Sequence, residues 1–506
     1  MVLATTPVLI AIALALLAYL FIKWLKDPLR KIPGPRGLPF IGNTLSVDPT
    51  KLHMILYDWA EKYGDIMKIS LFNTPMVVVN STELAYDVLV KTGTDFQGRP
   101  PSPRADLVMG YNSLVMRSIN DPGYQQRRHY TIKAIKGYGE GVAHLEDIIQ
   151  NITITLIDDI TKQDGRPMDV DQLCYGFLCC VMASLLYGEE YAYDDPVSQS
   201  ISRMTAEVLK AIDPASLGAL LDSFPVLFKQ NIFLKETLRQ IQQTQNYVNE
   251  TLHKKIAEYK AEFDENCLKG ILDQLILIQK QEVGTDDPVM DDDAIQDIIL
   301  VLILGGMATS HSVLCQAFLD FLHEPDLQKR LQDEIDSQFE PSHIITLKDR
   351  PKLPLLQAYI YENLRYNTVT PILLPHRAIR DTKIAEYEIP ANTNVLVNAF
   401  YTSHNPSVYK DPFTIKPERF LDEHGAVVPP GHPARYNSVG LSFGSGQKGC
   451  IGKNLAETRI FLFLANILQR FNILPVENLP NRDVRTYNFV GVLTPPSGSV
   501  KFIRRQ

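Results

Sequence analysis

Cysteine is scarce and scattered. The 506 residues contain six, at 174, 179, 180, 267, 315 and 450. They are too sparse and irregular for a disulfide framework, and no CxxC pair points to zinc or a dithiol redox centre, so a reducing compartment is expected. Basic excess is also missing. Fifty Lys and Arg against 58 Asp and Glu give a formal charge of −8, which removes the electrostatic basis for avid nucleic-acid binding. There is no internal repeat or low-complexity tract. With 45% hydrophobic and 21% charged residues, the composition excludes disorder and fits a large globular core.

The amino terminus has no charge at all. From Val2 to Ile22 every side chain is uncharged, and the run PVLIAIALALLAYLFI is long enough to span a hydrocarbon core of ~30 Å. A cleaved signal peptide is the competing reading, but the stretch exceeds the usual h-region and lacks a basic n-region. The cations follow instead, at Lys23, Lys26, Arg30 and Lys31, which predicts one transmembrane helix with the remainder cytoplasmic. The sequons at Asn80, Asn151 and Asn249 then face the wrong side for glycosylation. Next comes IPGPRGLPFIG, where Pro33, Pro35 and Pro39 fix φ and remove backbone donors, reading as a stiff connector. The expected organisation is an anchor over 1–22, a basic, proline-rich connector over 23–42 and a catalytic domain over 43–506.

Helical periodicity dominates from Ala143 to Glu340, while strand-like alternation is confined to pieces such as IMKISLF, MVVVN and NVLVNAF. The fold should be mainly α with small peripheral β-sheets.

The informative chemistry comes late, in SFGSGQKGCIGKNLAETRIFLFLANIL. A single buried cysteine is usually inert packing. Here Gly444, Gly446, Gly449 and Gly452 surround Cys450, permitting the close backbone approach that a flat, bulky cofactor demands. A helix N-terminus also favours thiolate over thiol. A thiolate axial ligand to haem iron donates electron density and favours O–O cleavage, so the local design suits oxygen activation.

On these residues the chain resembles the cytochrome P-450 superfamily of haem-thiolate monooxygenases. The family loop Phe-x-x-Gly-x-Arg-x-Cys-x-Gly is matched by Phe443, Gly446, Cys450 and Gly452, with Lys448 where the family has Arg. The resemblance covers essentially the whole chain. Asp95 to Pro100 (DFQGRP) and Pro375 to Ala378 (PHRA) look most like the animal microsomal branch that includes steroid hydroxylases and xenobiotic oxidases. It implies the cytochrome P-450 fold, haem b (iron protoporphyrin IX) held by Cys450, and a structural pairing of Glu362 and Arg365 with Arg419. Arg128 takes the Arg position of the family's Trp-x-x-x-Arg, which implies a propionate contact, and Tyr124 replaces the Trp with a hydroxyl still able to donate. His376 or Arg377 falls where another propionate ligand is expected. Phe443, Lys448 and Gly444 complete the expected cofactor contacts.

The family's oxygen-groove pattern, Ala/Gly-Gly-x-Asp/Glu-Thr-Thr/Ser, maps onto Gly305 to Ser310. Thr309 then looks like the catalytic alcohol that helps deliver protons, but Ala308 stands where the acid belongs, and a methyl group relays no proton. The resemblance implies an endoplasmic-reticulum enzyme that inserts one atom of O2 into a hydrophobic small molecule (sterol or steroid, fatty acid, xenobiotic). Electrons would come from NADPH through a separate flavoprotein reductase, with cytochrome b5 as a further partner. The alternative is a haem-thiolate isomerase, a peroxide-using enzyme or a low-turnover lipid-binding haemoprotein, for which the missing acid would not matter. The substrate pocket is expected from Arg104 to Asn120, Leu302 to Thr309, Val369 to Leu373 and Gly491 to Leu493.

Overall fold

The computed structural model describes residues 27–505, apart from 39–40, 73, 139–141, 215, 217, 225–233 and 477. The apolar run expected to cross the membrane lies outside the described residues.

The helices that build the site are numbered in chain order: α1 Leu52–Tyr63, α2 Pro103–Met109, α3 Tyr124–Tyr138, α4 Val142–Lys162, α5 Val170–Tyr187, α6 Pro196–Ile212, α7 Lys235–Ala261, α8 Ile271–Glu282, α9 Asp292–His323, α10 Pro325–Gln338, α11 Pro354–Asn367 and α12 Lys453–Arg470. Strands are β1 Ile66–Leu71, β2 Thr74–Val79, β3 Met168–Asp169, β4 His376–Arg377, β5 Thr382–Ile384, β6 Tyr387–Ile389, β7 Asn394–Val397, β8 Phe471–Pro475, β9 Asn488–Val490, β10 Val492–Thr494 and β11 Ser499–Arg504. The mainly helical expectation is met.

The centre of the molecule is α9. Its 32 residues make a rod about 48 Å long. Asp291 caps it by accepting the Ala294 N–H at 2.7 Å, and the acidic Asp292 and Asp293 favour the positive end of its dipole. Apolar on nearly every side, α9 is the kind of helix that other helices enclose. Its main partner is α5, also apolar all round. Both helices are long and apolar enough to cross a membrane, yet most of each is buried inside the protein, which makes them core helices here. A leucine- and isoleucine-rich cluster from α4 to α12 surrounds them.

The three strand-like pieces of the sequence join one four-stranded sheet in the order β1-β2-β7-β4. β2 runs antiparallel to β1 and parallel to β7, with Val77 opposite Val395. This sheet has its own apolar cluster, into which the connector's Leu29 and Ile32 are inserted. The connector is docked on β1: the Lys68 N–H donates to Pro33 O at 2.7 Å, and Lys68 Nζ pairs with Asp27 at 2.5 Å. Asn80, one of the sequon residues, is fully buried and donates to Gly64 O.

Candidate functional site

The Cys450 loop is closed by its own backbone. The Cys450 N–H donates to Phe443 O at 2.8 Å, and Gly444 and Gly446 take left-handed φ values of 64° and 70°. At Gly446 an added Cβ would lie 2.0 Å from Leu89 O, so this glycine is required by protein packing. That corrects the expectation that all four glycines make room for a cofactor. Gly452 fits it better, since a Cβ there would meet nothing within 4 Å.

Cys450 keeps accessible surface, unlike most of the helix it precedes. Burial by surrounding protein pushes its thiol up, opposed by a hydrogen bond from the Gly452 N–H and by the charges of Arg459, Arg128 and Lys453. The net direction is upward, so the helix N-terminus alone does not make a thiolate. A bound metal cation would, because a coordinating thiol is deprotonated outright.

On α9 the two adjacent glycines have different reasons. A Cβ on Gly306 would sit 2.7 Å from Met182 Sδ, so Gly306 lets α5 and α9 approach. Gly305 is exposed in the middle of an otherwise buried helix, and a Cβ there would enter open space. Only Gly305 matches the expectation of room for a ligand. Thr309 Oγ1 donates to Gly305 O at 2.7 Å, which commits its proton to the helix and leaves its lone pairs to accept. Ala308 is buried.

Arg459, a lone cation in the apolar run of α12, was not anticipated. It is buried, and its Nη2 donates to Gly306 O at 2.5 Å and to Ser310 Oγ. Burial lowers its pKa to about 10, with Cys450 opposing that shift. Through this side chain the Cys450 loop and the glycine pair of α9 become one unit. The signal in the sequence was the charge itself, since a buried Arg on an apolar helix face calls for a partner.

A second group of cations collects beside the loop. Arg128 Nη2 donates to Gly449 O at 2.8 Å. Lys448 Nζ reaches Arg117 O and lies 4.3 Å from the centroid of the Tyr124 ring. Arg99, from the DFQGRP segment, donates to Val115 O at 3.1 Å, Leu374 O at 2.9 Å and Pro375 O at 2.7 Å. Burial lowers Arg99 to about 10. Burial, then Arg99 and Arg128, push Lys448 down to about 6. Among the described residues none of these three cations has a carboxylate at ion-pair distance. A half-buried set of basic side chains without carboxylate partners is complementary to a dianionic ligand, and that donor chemistry fits the two propionates of a haem.

The open choice between His376 and Arg377 is narrowed by β4. Successive strand residues point to opposite faces. Arg377 turns outward to Asn392 O at 3.2 Å. His376 is buried, its Nδ1 3 Å or less (2.8 Å) from Phe96 O, and burial plus Arg99 hold it down at about 3. It is therefore a neutral ring among the cations. Tyr124 has the donating hydroxyl expected of it, here directed to Leu114 O at 3.1 Å, and its ring carries Lys448. The Phe443 ring lies 5.5 Å from Lys453 Nζ.

Glu362, Arg365 and Arg419 meet as the resemblance implies. Arg365 grips Glu362 with two bonds of 2.7 and 2.8 Å, and both side chains are completely buried. Arg419 Nε reaches Glu362 Oε1 at 3.3 Å, and the Lys416 N–H donates to the same oxygen at 2.8 Å. Two of the pocket segments meet where Leu493 N donates to Val369 O at 2.8 Å, and α9 is tied to the others on either side of its 302–309 stretch: Ser312 donates to Leu493 O at 2.6 Å and the Asn112 N–H donates to Asp297 at 2.9 Å. By contrast the open groove between α6 and α7, lined by Arg203, Glu207, Lys210 and Tyr247, contains none of these residues.

Comparison with known proteins agrees with this constellation. The cytochrome P450 family model matches residues 32–502. The chain is similar to a steroid 17-alpha-hydroxylase/17,20 lyase of Peromyscus leucopus, 30% identical over 92% of this chain and 90% of the relative. It is also similar to cytochrome P450 2D27 of Mesocricetus auratus, at 28% over 87% and 86%, and to cytochrome P450 2B19 of Mus musculus, at 27% over 94% of each. These relatives lend no support to the isomerase or lipid-binding alternative. With a haem-fitting cation cluster beside an accessible cysteine, and a family match along nearly its whole length, the chain belongs to the cytochrome P450 family and is a haem-dependent, oxygen-incorporating oxidoreductase.

Proposed function

We propose that the chain is a membrane-anchored haem b monooxygenase of the endoplasmic reticulum, with its catalytic domain over 43–506 in the cytoplasm, acting on a hydrophobic small molecule. The observation that carries this reading is the accessible Cys450 thiol set beside Arg99, Arg128 and Lys448, cations that lack carboxylate partners among the described residues. Electrons would come from NADPH through a flavoprotein reductase, with cytochrome b5 as a second donor. Steroid leads the substrate classes because a steroid hydroxylase is among the relatives, followed by fatty acid and xenobiotic. The pocket segments are largely apolar, which suits a ligand partitioned in the membrane.

Held by a Cys450 thiolate, haem iron would supply O2 activation, helped by the electron density of that sulfur. The chain's own residues do the rest. Arg99, Arg128 and Lys448 would hold the propionates, with neutral His376 as a further contact and Tyr124 placing Lys448. Gly444 and Phe443 shape the loop. Gly305 leaves room beside α9. Thr309 Oγ1, its proton held by Gly305 O, is an acceptor that orients a water or a substrate hydroxyl at that point. With Ala308 unable to relay, protons would pass through that water or hydroxyl.

The test is spectral. Purified full-length protein titrated with steroids, fatty acids and drug-like amines should show a high-spin shift with one class, and reductase with NADPH should convert that ligand to a product heavier by one oxygen. Binding without any oxygenated product, under electron supply, would contradict the proposal. Deleting residues 1–22 should release the protein from membranes while haem loading survives.

A further inference from the structure

Two residues beyond Thr309, on the opposite side of α9, lies a separate cluster that the haem site does not use. α5 contributes Asp171 and Cys174 at i and i+3, and α9 contributes His311 and Cys315 at i and i+4, so each pair shares one helix face. Helix packing brings the faces together. His311 Nε2 is 3.0 Å from Asp171 Oδ1 and 3.3 Å from Cys315 Sγ, and the donor atoms of these three residues all lie within 4.8 Å of one another. Cys174 neighbours Cys315 without belonging to that set. The Tyr175 ring lies against His311, 4.0 Å between centroids and tilted by 32°.

We propose that Asp171, His311 and Cys315 form a zinc site joining α5 to α9, with water from the half-exposed Asp171 side as the fourth ligand. Tetrahedral zinc, with bonds of about 2.0 Å to N or O and about 2.3 Å to S, places its donors roughly 3.3–3.8 Å apart. The observed 3.0 and 3.3 Å are within a few tenths of an ångström of that spacing. A thiol, an imidazole and a carboxylate suit a borderline-soft ion and not magnesium or calcium, which take oxygen ligands. Cys174, His311 and Cys315 are buried while Asp171 is half exposed, so the ion has an entry side and a dry interior. Binding Zn2+ releases the Cys315 thiol proton and the proton held between His311 and Asp171, and leaves one thiolate, a neutral imidazole and a carboxylate around the ion. A His311–Asp171 ion pair accounts for only two of the three groups.

The experiment uses full-length, haem-loaded protein expressed with ample Zn2+ and then desalted. Elemental analysis should find one zinc per haem. Zinc K-edge absorption, which is blind to haem iron, should show sulfur at about 2.3 Å together with nitrogen or oxygen at about 2.0 Å. Cys315→Ser and Asp171→Asn should each lose the zinc. Asp171→Asn alters the half-exposed member while keeping a polar partner for His311, and unchanged haem content and circular dichroism separate loss of metal from failure to fold. Zinc absent from the parent, zinc ligated without sulfur, zinc undiminished in both variants, or a Cys174–Cys315 disulfide found by mass spectrometry would each overturn the site.

Discussion

The guanidinium of Arg459 on α12 donates to the carbonyl oxygen of Gly306 on α9 at 2.5 Å. A buried cation thus spans from the neighbourhood of Cys450 to the helix that carries Thr309. Its positive charge opposes electron addition least when present, so Arg459→Leu should shift the haem reduction potential to more negative values. Arg459→Lys, which keeps the charge but loses the fork, should shift it less. Redox titration with dyes under nitrogen reads both; potentials unchanged in Arg459→Leu would show that this charge does not reach the haem.

Glu362 is buried between two arginines, and neutralising it strands Arg365 in a dry site. Glu362→Gln should destabilise the fold by about 3–5 kcal/mol and lower haem content in proportion. Pyridine haemochrome content with denaturant unfolding measures both, and a fully loaded, equally stable variant would contradict the structural role.

How much of this was legible in the sequence depended on range. The long helices show in the periodicity of Ala143 to Glu340, and IMKISLF, MVVVN and NVLVNAF each became part of a strand in one sheet, because local pattern decides such elements. β8 and β11 were not legible, since their pairing, Phe502 opposite Ile473, joins segments by register and not by alternation. The glycine pattern around Cys450 and the Glu362–Arg365 pair could be read from spacing, while Arg419 joined that pair only through the family resemblance. Arg99 could not, because its place beside Lys448 depends on where a proline-flanked segment crosses the sheet edge. Nor could the different duties of Gly305 and Gly306, which only the packing of Met182 separates.

The cation cluster makes a prediction about cofactor retention. Lys448→Gln and Arg99→Gln should each speed transfer of haem to apomyoglobin by about tenfold, while the reduced CO spectrum of the haem that remains is unchanged. Rates equal to the parent would mean that the propionates lie elsewhere. A tenfold change corresponds to about 1.4 kcal/mol, within the range of one charge-assisted hydrogen bond.

Burial raises the Asp320 carboxyl to about 7, against Arg482 and hydrogen bonds from Gln316 and Tyr359. The unfolded chain releases that proton near pH 4. Between these values the folded state binds more protons, so stability falls as pH rises from about 4 to about 7. Asp297, raised to about 7 chiefly by burial, acts in the same direction. His376, held at about 3, acts in the opposite direction, so the reading is a difference: between about pH 5 and about pH 7 the denaturant midpoint of Asp320→Asn should gain on that of the parent. An identical pH profile in the variant would remove Asp320 from the account.

With Ala308 in place of an acid, NADPH consumption should exceed product, and Ala308→Asp should narrow the gap if a carboxyl at that buried position finds a water. General acid delivery is worth about 10²–10⁴-fold when geometry is right. Haem content must hold steady in the comparison. Tight coupling in the parent that Thr309→Ala abolishes would show that Thr309 and water suffice; tight coupling that survives Thr309→Ala would remove Thr309 from the proton path.

The central claim is that Cys450 binds the haem iron as a thiolate, and the most direct measurement is the spectrum of reduced, CO-treated protein. The parent should show the red-shifted Soret band of thiolate ligation, and Cys450→Ser should lose it even where haem is retained. A Cys450→Ser protein that keeps the band would contradict the assignment of the ligand and with it the site built around it.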